Sequence, residues 1–320
     1  MGAVISYYKF HLGRWLMFAF AQLFPRAAAR RVVELFQRTY RIPPPKIERL
    51  CESSARVRNF LLAPLSRAFD TPCTNFQIPP WIKGYEFEPQ NVGTPKGTVV
   101  FVHGFSGRAT QFHAFLQPLA QRGYRVIALD MPGCGGSPGE SANLVVFANA
   151  LEAFVRANDI NPSCVIAHSM GASSTLLFAS YCQHSPYLDR LSSLVAISPP
   201  ESLLNVLYGF GDIVGVGGSR AISVDFTTSS LLDKLSTRIL LVHDSKDKEV
   251  PVSASRAIAA SAQNVVDQEH SRDETANSSW QPRQLKFRYV ETEGLGHKRI
   301  LVDANIVEMV LDFVDETRDQ

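Results

Sequence analysis

The chain is expected to fold as an α/β protein on a doubly wound, mostly parallel sheet, and three observations carry that expectation. Short apolar runs without polar alternation recur at Gly97 to Val102, Tyr124 to Leu129, Val165 to Ala167, Leu194 to Ile197 and Ile239 to Val242. Such runs suit strands covered on both faces. Between them lie stretches with helical spacing, so strand and helix alternate, as in a sheet with crossover helices. The third observation is the stretch Cys164 to Phe178, where an apolar run breaks at Ser169 into an Ala/Leu/Ser-rich helical pattern. That is a strand, a sharp turn and a helix, with a serine at the corner.

Composition bounds the rest. At 320 residues, with 45% hydrophobic and 19% charged residues, this is the make-up of one large globular α/β domain with an extension. Formal net charge is +2, but residues 1–60 hold eleven Lys/Arg against three Asp/Glu, so the basic character belongs to the N-terminal extension. The five cysteines, Cys51, Cys73, Cys134, Cys164 and Cys182, have no paired metal spacing, and their odd number cannot close a disulfide framework. They suit a reducing compartment.

The N-terminal run Trp15 to Phe24 is apolar but far shorter than the roughly 20 residues that span a bilayer. A signal peptide is disfavoured, because the leading region is long and aromatic and Pro25-Arg26 stands where small neutral residues belong. Two readings stay open for this stretch. One is an amphipathic helix at a membrane surface, with Tyr7, Tyr8, Phe10, Trp15, Phe18 and Phe20 beside Lys9, Arg14, Arg26, Arg30 and Arg31. The other is a helix packed on the main domain. Met1 to Ser6 also matches the myristoylation pattern, which matters only in a eukaryotic cytosol. Pro43 to Pro45 then marks a stiff break. A further helix is expected within Lys46 to Phe69, with short strands near Phe76 to Ile78 and Tyr85 to Phe87.

The strand Gly97 to Val102 ends in His103-Gly104. A helix follows over Gln111 to Arg122, closed by Gly123. The next strand ends at Asp130 and leads into Met131 to Ser137, a Gly-rich loop that lacks both the Lys-Ser/Thr of a P-loop and the spacing of a dinucleotide fingerprint. Asn143 to Asn158 is amphipathic and leads into the serine turn. There, Ala167 and Gly171 flank Ser169 as Ala-x-Ser-x-Gly, and only small residues fit two positions either side of such a turn. A serine hydroxyl needs a base to become a nucleophile, and a strained turn holds it clear of the sheet to meet one.

Residues 199–234 are expected to form a short lid in which Leu203, Leu204, Val206, Leu207, Tyr208 and Phe210 line one pocket wall or pack as a helix on the core. The strand from Ile239 leads into a polar loop carrying Asp244, Asp247 and Glu249 before Val250-Pro251. Ser253 to Ala262 reads as a short helix, 263–284 as a polar insertion, and Leu285 to Val290 as an edge strand. Glu293 to Leu301 is a Gly-rich loop presenting His297, followed by a final helix over Lys298 to Thr317.

The chain order Ser169, Asp247, His297, each in a loop after a strand, resembles that of the α/β-hydrolases from about Trp81 to the end. Asp247 is preferred to Asp244 and Glu249 because it lies four residues before Pro251, as in that family's Asp-x-x-Val-Pro loop. His297 is preferred to His168 and His243, which sit at strand ends, and His103 reads as a histidine that holds its loop by hydrogen bonding. The resemblance implies Ser169 as nucleophile, His297 as base and Asp247 as its orienting acid, with the backbone N–H groups of Phe105 and Met170 as an oxyanion hole. It likewise makes Asp130 a structural member of the Gly-rich loop.

Cleavage of a carboxylic ester, on a small acyl or a lipid-like substrate, is the expected activity. Thioester hydrolysis or acyl transfer at the same residues, or ligand binding without catalysis, are the alternatives. No cofactor or metal and no nucleic-acid partner is expected. The expected organisation is a basic, partly apolar helical extension over 1–75 and an α/β-hydrolase domain over 76–320. A cytoplasmic location is expected, with peripheral membrane contact through the extension as one reading of that segment. Oligomeric state is left open.

Overall fold

The computed structural model describes residues 2–64, 78–90, 93–182, 185–188, 191–202, 227–273 and 285–316. Two compact units are distinguished, residues 1–38 with 202–227, and residues 39–201 with 228–320. In the first, α1 (Gly2–Leu23) and α2 (Pro25–Gln37) meet at Phe24, and Pro25 opens α2 where a missing N–H costs nothing. The stretch expected as one amphipathic helix is therefore two. Leu12, Trp15, Leu16, Phe18, Phe20 and Leu23 of α1 are exposed around much of its circumference rather than gathered on one stripe. Among the described residues no helix is long and apolar enough to cross a membrane.

Among the described residues the second unit holds a sheet of eight strands in the order β1-β2-β4-β3-β5-β6-β7-β8. Its strands are β1 (Arg56–Leu61), β2 (Trp81–Phe87), β3 (Thr98–Val102), β4 (Arg125–Leu129), β5 (Cys164–His168), β6 (Ser193–Ile197), β7 (Arg238–Asp244) and β8 (Lys286–Thr292). β3 to β8 run parallel, while β1 and β2 form an antiparallel edge on β4. Every residue of β5 and β6 is buried, which is why their sequences carry no alternation. At the far edge β8 alternates exposed Lys286 and Arg288 with half-buried neighbours.

Several expected elements differ. The helix α3 (Lys46–Ser54) stops well short of Phe69, because the chain turns into β1 and pairs with β2. Of the short strand expected near Phe76 to Ile78, Phe76 and Gln77 lie outside the described residues and Ile78 belongs to no strand; β2 begins at Trp81. The helix expected to end at Ala262 continues as α7 (Ser253–Asp273), so the first half of the expected polar insertion is helical, and 274–284 lie outside the described residues. The lid residues Leu203 to Phe210 also lie outside them.

Helices cover both faces. α4 (His113–Gln121) follows a 3-10 turn at Ala109–Phe112, and α5 (Leu144–Ala157) begins at Asn143, whose side chain accepts the Val146 N–H at 2.8 Å. α6 (Met170–Cys182) follows the serine turn. The single C-terminal helix expected from Lys298 is instead α8 (Gly296–Arg299), a turn, and α9 (Ala304–Asp315) capped by Asp303. Phe101, Phe112 and Phe115 pack together on one face of the sheet, in a core shared with Ile306, Val310 and Val314 of α9. Phe60 of β1 meets Phe154 of α5 edge-on at 5.1 Å.

Candidate active site

The site is built at the C-terminal ends of the parallel strands, where an open α/β sheet presents its loops. β5 runs into Ser169, which has φ +52°, and α6 starts at the next residue. The Ser169 N–H donates to Ile197 O of β6 at 2.8 Å, so the neighbouring strand fixes the corner. A left-handed backbone at a non-glycine residue is strained and persists only where its surroundings over-determine it. Here α6 lies so close to β3 that a Cβ on Gly171 would stand 2.3 Å from His103 O, and one on Gly104 would stand 2.9 Å from the Ser169 Cβ. Those contacts explain the small residues around the serine.

Asp247 and His297, fifty positions apart, are brought together by the parallel pairing of β7 with β8. His297 Nδ1 lies 2.6 Å from Asp247 Oδ2, with both side chains buried. Oδ1 of Asp247 accepts the N–H groups of Glu249 and Val250 at 2.8 and 2.9 Å. Burial alone would raise the Asp247 pKa, but hydrogen bonds from His243, His297 and the Val250 N–H outweigh it and hold the carboxyl well below the usual range. Asp247 is thus a fixed carboxylate against Nδ1 of His297, and Nε2 is the ring nitrogen on the far side.

Asp244 does a different job. Its carboxylate accepts the N–H groups of Lys246, Leu295 and Gly296 and the Thr292 hydroxyl, all at 2.8 to 2.9 Å, tying the loop of His297 to the loop of Asp247. Glu249 lies with Oε2 3.8 Å from His297 Nε2 and Oε1 2.9 Å from Lys298 Nζ.

The loop after β3 carries Phe105, and Ser106 follows with φ +53°. His103 Nε2 accepts the Met131 N–H at 2.9 Å, which leaves the ring proton on Nδ1 to donate to Gly104 O at 2.6 Å. Burial lowers the His103 pKa to about 4, so the ring is neutral and serves as a brace. Asp130 accepts the N–H groups of Ala109 and Gly136, both at 2.8 Å, binding the Gly-rich loop to the loop of Phe105. Met170 is the first residue of α6, and the leading N–H groups of a helix have no partner within it.

Ser169, His297 and Phe105 share the lining of a cleft of about 410 Å³ with Tyr40, Ile42 and Arg108. Met170 is buried and is not among the residues that line it. Two histidines at strand ends also touch this site. His168 Nε2 donates to His297 O at 2.9 Å, with the two rings 4.5 Å apart. His243 Nε2 donates to Val250 O at 3.0 Å and stands 3.3 Å from Asp247 Oδ2, while its Nδ1 accepts from the Ser255 hydroxyl. Their strand-end positions are legible in the sequence, but nothing local marks the cross-chain partners. Among the described residues no cluster of His, Cys, Asp and Glu is arranged to hold a metal ion. Cys51, Cys134, Cys164 and Cys182 are free thiols.

Residues 97–281 match the family model described as alpha/beta hydrolase fold. The dihydrolipoyllysine-residue acetyltransferase component of the acetoin cleaving system of Cupriavidus necator is 34% identical over 122 residues, which are 38% of this chain and 29% of that one. A monoacylglycerol lipase of Mycolicibacterium smegmatis is 30% identical over 129 residues, covering 38% of this chain and 45% of the relative. The chain thus spans less than half the length of these curated relatives. Among solved structures, a membrane phospholipase A described as a bacterial virulence factor superposes with a TM-score of 0.57 at 17% identity, over 98% of this chain and 99% of that one. At that identity the likeness is one of fold.

Proposed function

Because the chain belongs to the α/β-hydrolase fold family, we propose that it is a serine hydrolase that cleaves carboxylic esters through an acyl-enzyme. The observation that carries the reading is the 2.6 Å contact of the buried Asp247 with His297, which lines the same cleft as Ser169. Ser169 Oγ attacks the acyl carbonyl as His297 Nε2 takes its proton, and the charged ring is held by Asp247 through Nδ1. The N–H groups of Phe105 and Met170 receive the developing oxyanion, each worth roughly 10²–10³ in rate. His297 returns the proton to the departing alcohol, and water repeats the sequence to release the acid.

The substrate class proposed is a lipid-like or medium-chain ester, a choice that the lipase among the relatives favours. Thioester hydrolysis and acyl transfer would use the same residues, and the acetyltransferase component among the relatives keeps them as the second reading. The N-terminal extension is proposed to touch membranes peripherally, supported by its basic charge and the exposed apolar residues of α1.

A fluorophosphonate probe tests the core of the proposal. Wild-type protein is expected to label and to hydrolyse p-nitrophenyl esters, and Ser169→Ala to do neither. Labelling that persists in the variant would move the nucleophile elsewhere, and a wild type that never labels, with or without lipid, would leave ligand binding as the function.

A further inference from the structure

We propose that residues 39–45 form a specificity strap, in which Tyr40 and Ile42 make the wall that receives the aliphatic chain of the substrate. The proposal rests on the reading of Ser169 as nucleophile and adds to it the residues that select the substrate.

The strap is held by its backbone and by one cation. Thr39 N–H donates to Glu140 O at 2.9 Å, and its hydroxyl donates to Gly133 O at 2.7 Å. Arg41 donates from Nε to Gly135 O at 3.0 Å and from Nη2 to Ser137 O and Gly139 O at 2.8 and 2.9 Å. A guanidinium shared among carbonyls of a single loop is a rigid anchor, because its planar fork loses little freedom for each bond formed. Tyr40 N–H donates to Ser106 Oγ at 3.2 Å, directly beyond Phe105. Arg108 bonds both Ile42 O and the buried Glu48 of α3, which also accepts the Thr110 hydroxyl at 2.8 Å. The prolines at 43–45 stiffen the link to α3 and hold Ile42 extended.

With the backbone and Arg41 so engaged, the side chains of Tyr40 and Ile42 are left over. They lie two positions apart, as side chains sharing one side of an extended segment do. They are 59% and 61% exposed, and both line the cleft of Ser169 and His297. Large apolar groups held beside a nucleophile and open to water gain most when an alkyl chain covers them. That chain can belong to the acyl or to the alcohol part of the ester.

The test uses the full chain with Tyr40→Ala/Ile42→Ala and, separately, Arg41→Ala, assayed on p-nitrophenyl esters from acetate to decanoate and on acetates from methyl to octyl. In one of the two series the long-to-short ratio of kcat/KM is expected to fall about tenfold in the double variant, mostly through KM. Which series responds assigns the wall to the acyl or the alcohol side. Arg41→Ala leaves both wall side chains in place but unpinned, and is expected to lower the same ratio. A ratio within about twofold of wild type in both series overturns the strap. Should the wild type fail to label with fluorophosphonate, the nucleophile reading falls by itself. Calorimetric binding of octanoate then decides the wall, which requires weaker binding in the double variant and is overturned by equal binding.

Discussion

Asp247 receives the Nδ1 side of His297, the neighbouring N–H groups of its own loop and the ring of His243, so its charge is maintained from several directions. Replacing it with Asn would keep the shape and offer the imidazole a donor as readily as an acceptor. Asp247→Asn is expected to lower kcat on a p-nitrophenyl ester by about 10⁴ with little change in folding, measured by steady-state kinetics beside circular dichroism. His103 makes the opposite case. Its folded-state pKa is lowered to about 4 by burial, below the unfolded value near 6.5. Between those values the unfolded chain binds the extra proton, so the contribution of the neutral ring is complete above about pH 6.5 and is lost as pH falls towards about 4. Urea unfolding across that window should show stability declining with acidification, and His103→Gln should flatten the decline.

At the scale of elements, the serine corner depends on how closely α6 approaches β3. A methyl group at Gly171 would meet backbone, His103 O at 2.3 Å and Val102 O at 2.7 Å, which cannot rotate away. Gly171→Ala is therefore expected to shift α6, costing on the order of 1–3 kcal/mol by thermal unfolding and slowing fluorophosphonate labelling of Ser169. The same crowding bears on the sequence pattern: Ala167, two residues before the serine, is fully buried within β5, and the turn forms with a methyl group there. Asp244 and Asp130 act at this scale too, each joining two loops by accepting backbone N–H groups.

For the whole molecule, charge and apolar exposure are unevenly spread. Residues 1–60 carry the excess of Lys and Arg, and α1 exposes Trp15, Leu16 and Phe18. The full chain is expected to float with vesicles containing an anionic phospholipid and to be released by high salt, since surface attraction is screened over about 10 Å at 0.1 M. Trp15→Ser/Phe18→Ser should weaken flotation while leaving hydrolysis of a water-soluble ester in place. Flotation equal to wild type would remove the extension from membrane contact.

The amino-acid sequence by itself determined the α/β class and the position of each buried parallel strand, because a strand covered on both faces must be apolar throughout. It also set Ser169 at a strand-to-helix turn and Asp247 in the loop after a strand, and the resemblance to the α/β-hydrolases singled out His297, which stands in the short α8 rather than in a loop. The boundaries near the ends of the fold were not legible: β1 reads as helix until β2 is beside it, and the turn after α8 shows only where Asp303 caps α9. Tertiary structure alone decided which groups meet. The pairing of β7 with β8 joins Asp247 to His297, the rings of His168 and His243 are set against that pair, and Arg41 fastens a segment from before the sheet to a loop 94 positions on. Hydrogen bonds between distant residues leave no periodic trace in a chain, since each partner keeps its local conformation and only the fold brings them within reach.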